Sequence, residues 1–109
     1  MTPTAAQHTI SQMVNRIVDK FHPYKIILFG SYAKGTAGPD SDVDLLVIMP
    51  LSVSKRQTTI AIRSELHGMG LPKDILVATP EDIETYRNTV GTIIRPALQE
   101  GRVLYERAA

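Results

Sequence analysis

Asp42 and Asp44 are separated by one apolar residue, Val43, at the head of an aliphatic run. In an extended strand residues i and i+2 project to the same face, so the two carboxylates are predicted to stand side by side. Two like charges about 4 Å apart repel by roughly 4 kcal/mol at an effective dielectric of 20. Such a pair captures a proton or a cation. Hard oxygen donors at one strand end suit Mg²⁺ or Mn²⁺, which keep positions open for phosphate oxygens. Upstream, Gly30, Ser31, Tyr32, Ala33, Lys34 and Gly35 follow another apolar run. Read as a glycine-bracketed turn, this segment offers backbone N–H groups and the Ser31 hydroxyl to phosphate oxygens, with Lys34 as a further contact. The whole stretch reads as a metal-nucleotide site.

Each part alone has a plainer explanation. Glycine pairs mark ordinary turns, and acids near a Gly38, Pro39 and Asp40 turn are common. The spacing of Gly30 and Gly35 imitates half of a P-loop, but Thr36 stands where that motif needs lysine, which excludes it. What the plain readings leave unexplained is the combination of a glycine-serine turn, a return loop and same-face acids. Asp74, at the start of a third apolar run, is the candidate third carboxylate.

These residues need a sheet to hold them. Ile10, Met13, Val14, Ile17, Val18 and Phe21 lie on one helical stripe, predicting an amphipathic helix that ends near His22 and Pro23. Residues 25–29, 42–49 and 74–78 read as strands. Ser54 with Gln57 forms a capping box opening a helix that ends around Gly68 and Gly70. Thr79, Pro80 and Asp82 supply an N-cap, an N1 proline and an N3 acid for another helix. A last helix through Val90, Ile93, Ile94 and Leu98 is predicted to stop at Gly101, with a kink if Pro96 lies inside it.

If the glycine turn and the acids share a site, the first two strands run antiparallel. If Asp74 joins them, strands two and three run parallel through a right-handed crossover. The expected fold is thus α/β (α+β), a small mixed sheet with flanking helices. Leu46 and Ile48 share the aspartate face while Val43, Leu45 and Val47 share the other, so both faces are apolar. Either the last helix or another polypeptide must cover the aspartate face.

The 109 residues suit one domain spanning 1–109. Twelve basic and eleven acidic residues give a net charge of +1, which argues against a stable nucleic-acid complex held by charge. The absence of cysteine removes disulfides, thiolate metal sites and cysteine nucleophiles, and fits a cytoplasmic location. No signal core or membrane-length apolar run is visible. His8, His22 and His67 lack metal-ligand spacing and are assigned nothing. Lys55, Arg56 and Arg63 read as a solvated helix face, and Leu104 and Tyr105 as core or interface residues.

Gly30 and Ser31, ten intervening residues, then Asp42, Val43 and Asp44 resemble the signature of the nucleotidyltransferase superfamily related to DNA polymerase beta. Gly35, Ser41 and Leu45 match its usual elaboration, and Asp74 matches its third acid. The short length and the closing residues 94–106 resemble the minimal nucleotidyltransferase family. That resemblance implies the polymerase-beta-like nucleotidyltransferase fold. It also implies an antitoxin acting beside a helical HEPN ribonuclease toxin in a hetero-oligomer, with transfer of AMP from ATP to a toxin tyrosine.

The implied roles agree with the residue chemistry. Phosphoryl-type transfer needs positioning and charge neutralisation, which two Mg²⁺ ions supply to attacking and leaving oxygens. Asp42 and Asp44 are expected at both metal positions, and Asp74 at the metal nearest the acceptor, where it also helps remove the hydroxyl proton. Gly30 and Ser31, with Lys34, are expected to orient the β- and γ-phosphates of ATP. Two other functions fit the sequence: a non-enzymatic antitoxin that neutralises by binding, and nucleotidyl transfer to a small molecule or RNA end. Relatives acting on small molecules usually add an acceptor domain, so the acceptor here is expected to come from another molecule.

Overall fold

The structure is a computed structural model that describes residues 3–108. Helix α1 (Pro3–Phe21) leads into strand β1 (Lys25–Phe29), the short helix α2 (Ser31–Lys34) and strand β2 (Val43–Ile48). Helix α3 (Lys55–Glu65), strand β3 (Lys73–Ala78), helices α4 (Pro80–Tyr86) and α5 (Ile94–Glu100), and strand β4 (Arg102–Glu106) complete the order. The strands form one mixed sheet in the order β3-β2-β1-β4. β1 runs antiparallel to both neighbours, and β2 runs parallel to β3, as the convergence of the acids requires.

Strand alternation sorts the core into two layers. Val43, Leu45 and Val47 face a cluster with Met13 and Ile17 of α1 and Ile62 of α3. On the opposite, aspartate-bearing face, Leu46 and Ile48 join Ile27, Ala78, Ile94 and Ala97. Helix α5 therefore provides the cover that the two-sided apolar strands demand, and no second polypeptide is needed for that purpose. Gly101 lets α5 return closely onto β1. A Cβ there would collide with Ala97 O and Ile27 Cγ2 and lie 3.0 Å from Leu28 O.

Both capping boxes form. Gln57 N donates to Ser54 Oγ at 3.1 Å, and Asp82 N donates to Thr79 Oγ1 at 3.0 Å. Asp82 Oδ2 also lies 2.6 Å from Lys55 Nζ, tying together the first turns of α3 and α4 at the far end of the sheet from Asp44.

Three expectations change. Residues 31–34 form a helical turn rather than an open glycine turn. α3 ends at Glu65, before the glycines, with Leu66 as its C-cap. The last helix starts at Ile94, because Gly91 at φ 93° and the Thr92 hydroxyl bonds to Tyr86 O and Thr89 O hold the preceding residues in turns. Pro96 then falls in the first turn, where its missing N–H has no intrahelical acceptor to lose, so it introduces no kink. Leu104 and Tyr105 pack half-buried against the α1-side core, as expected of core residues, and do so from the edge strand β4, whose pairing with β1 shifts register between Ile26 and Ile27.

Candidate active site

The acids come together because register places them there. Asp44 and Asp74 are direct partners across the parallel β2–β3 pair, and adjacent strands are about 4.8 Å apart. Their shared face is that of Leu46 and Ile48. Asp42 lies just before β2, at the exit of a loop closed by Ser41, whose Oγ accepts from Gly38 N at 2.8 Å and whose N–H donates to Gly38 O at 3.2 Å. Val43 N donates to Pro72 O at 2.8 Å, fixing the start of the parallel ladder beside the acids.

The glycine segment approaches from β1. Phe29 pairs with Asp44, so Gly30 leaves the sheet alongside that aspartate. Gly30 adopts φ 73° and ψ −155°, a region open essentially to glycine alone. A Cβ at Gly30 would lie 3.2 Å from Asp44 Cγ and run into Oδ2. Two constraints, backbone angle and space, thus demand glycine at one position. Ala33 N and Lys34 N both donate to Gly30 O at 3.1 Å, and Gly35 closes the turn in the left-handed region at φ 76°. Ser31 opens α2, half-buried, next to Gly30.

No ion pair or hydrogen bond within the described residues neutralises Asp42, Asp44 or Asp74. Asp44 is half-buried and its carboxyl is pushed above the usual 3.8, first by desolvation and then by the charges of Asp74 and Asp42. Asp42 and Asp74 are exposed, which leaves the sheet end open to a large acceptor. Among the described residues no three acids or histidines close into a finished metal cage. The donor set nevertheless fits a hard divalent cation: all ligands are carboxylate oxygens, they lack internal partners, and Mg²⁺ commonly takes only one or two carboxylates beside substrate phosphates.

Lys34 reaches toward the same face but is held there by a residue the sequence did not single out. Its Nζ lies 3.0 Å from Glu100 Oε2, at the last residue of α5. No local spacing signals that pair, because the two residues meet only when α5 packs across the aspartate face.

Comparison with known proteins gives this geometry a family. Residues 10–103 match the family described as "Nucleotidyltransferase domain". The chain is 30% identical over 105 residues to "Putative protein adenylyltransferase MJ0604" of Methanocaldococcus jannaschii, an alignment covering 91% of this chain and 97% of that one. Among solved structures, a mutant of the toxin-antitoxin MntA-HpeT superposes with a TM-score of 0.65 at 18% identity, over 90% of this chain and 72% of that one. A toxin-antitoxin with AMP-PNP gives 0.59 at 19% identity, over 89% and 73%. These two share the fold. With residues 10–103 matched by that family, the chain belongs to the nucleotidyltransferase domain family and is a nucleotidyltransferase.

Proposed function

We propose that this nucleotidyltransferase moves AMP from ATP to a protein hydroxyl, a tyrosine of a cognate HEPN-type toxin, and thereby acts as an antitoxin. The observation that carries the reading is the Asp44–Asp74 register pair beside the Gly30 turn, open to a large acceptor at the exposed Asp42 and Asp74. The relative named as a protein adenylyltransferase supports a protein acceptor, and the toxin-antitoxin structures, one with AMP-PNP, support the partner and the nucleotide.

Asp42, Asp44 and Asp74 would hold Mg²⁺, which when bound screens phosphate charge and stabilises the attacking and leaving oxygens. Gly30 and Ser31 orient the β- and γ-phosphates, and Lys34 adds a positive charge on the same side. The acceptor oxygen forms a bond to the α-phosphorus as the bond to the β-phosphate oxygen breaks, and pyrophosphate leaves with that electron pair. Asp74 takes the hydroxyl proton. Intact-mass analysis of the toxin partner, incubated with the protein, ATP and Mg²⁺, tests this. Addition of one AMP moiety to a tyrosine is expected, and an unmodified partner after full incubation contradicts it.

A further inference from the structure

On the α3 side of the sheet end a groove of about 810 Å³ runs up to Asp42. Its walls are Ile60, Arg63, Ser64 and His67 of α3 and its C-terminal extension, with Pro72 and Lys73 leading into β3. Lys73 occupies the register position opposite Val43, on the face away from Asp74, and its Nζ donates to Leu71 O at 3.1 Å. Neither the Arg63 guanidinium nor the His67 ring makes a side-chain hydrogen bond or ion pair among the described residues, and both residues are exposed. Ile60 adds an apolar contact, 54% exposed. The groove is thus basic, apolar at one point, and continuous with an acid of the reaction site.

We infer that this groove docks an acidic polypeptide segment flanking the acceptor hydroxyl, and that Arg63 is its principal charged contact. The inference rests on the transfer reading, since Asp42 belongs to both the groove and the acid cluster. Charge complementarity selects the occupant: Arg63 and Lys73 are unopposed except by Asp42 itself, so an acidic segment gains attraction in the groove, while the three aspartates repel acidic side chains past its end and leave an uncharged hydroxyl the favoured group to enter. A nucleic acid fits less well. The lining offers a base one ring to stack on, the His67 imidazole, rather than a row of aromatic platforms, and so few cations neutralise few phosphates.

Docking is tested apart from transfer. Fluorescence anisotropy is read with two labelled peptides of equal length, a tyrosine flanked by glutamates and the same tyrosine flanked by lysines, and with an oligouridylate. Wild-type protein is expected to bind the glutamate peptide at least about tenfold more tightly than the lysine peptide. Arg63→Glu with His67→Glu is expected to abolish that preference, and Arg63→Lys to retain most of it. A thermal shift with Mg²⁺-ATP, equal in wild type and the Glu variant, shows that the variant is folded with its nucleotide site intact. Equal binding of both peptides, unchanged binding by the Glu variant, or tighter binding of the oligouridylate overturns the docking surface. Preferred binding of the glutamate peptide without transfer to any partner protein overturns the transfer reading instead.

Discussion

Gly30 and Asp44 occupy mutually exclusive space: the Asp44 carboxylate fills the position in which any side chain at residue 30 would begin. The glycine turn and the acid-bearing strand are therefore built against each other. Gly30→Ala is expected to lose on the order of 1–3 kcal/mol of stability, from the φ 73° backbone and the displaced carboxylate, and to lose most transfer activity. Thermal denaturation and an AMP-transfer assay check both. A variant with wild-type melting and activity would remove the glycine from the account.

Asp44→Asn separates stability from activity. A carboxyl whose folded value is raised above 3.8 holds its proton more tightly in the folded chain than in the unfolded one, so the metal-free fold loses stability as pH rises from about 3.8 through the raised value. The asparagine variant escapes that loss. Without metal it is expected to melt at or above the wild-type temperature at neutral pH, with the difference vanishing below about pH 3.8. Mg²⁺ should stabilise the wild type more than the variant, and transfer should fall by about 100-fold or more. Melting curves with and without Mg²⁺ across pH check the sign.

Asp82 gives the opposite pH dependence. Its carboxyl lies below 3.8, lowered first by the Lys55 ammonium and then by Thr79 N–H. A depressed carboxyl stabilises the fold above its unfolded value, and that stability is lost as pH falls through 3.8 and below. Asp82→Ala is expected to cost about 1 kcal/mol at neutral pH, to cost less in acid, and to leave the chemistry intact, because the clamp sits far from the acids. Denaturant melts at two pH values test this.

The Lys34–Glu100 pair is exposed on both sides, so neither partner should matter for stability by more than about 1 kcal/mol. The two residues should differ in activity. Lys34→Ala is expected to raise KM for ATP several-fold, and Glu100→Ala to change it little or lower it by freeing the lysine. Steady-state kinetics on both variants decide the matter. Identical effects would reduce Lys34 to a surface ion pair.

What the sequence reveals is what local chemistry dictates. Ser54 with Gln57, and Thr79 with Asp82, are legible because a capping box is complete within four residues. The strand directions follow from requiring Gly30, Asp44 and Asp74 at one end, and the observed register meets that requirement. β4 is hidden because Arg102–Glu106 pairs with a strand near the other end of the chain, and the shift beside Ile26 breaks its alternation. Residues 31–34 are too few to show a helical period. Val90 and Ile93 fall at helical spacing with the last helix yet are exposed, since the Gly91 turn stops the helix from reaching them. Glu100 meets Lys34 only through tertiary packing, which no local spacing encodes.

The most direct test of the central claim is intact-mass analysis of the proposed toxin partner after incubation with ATP, Mg²⁺ and either the wild-type protein or Asp42→Ala with Asp44→Ala. The account predicts an added AMP moiety on the toxin, mapped to a tyrosine, with wild type and none with the double variant. Full neutralisation of the toxin by both proteins without any mass change would contradict it.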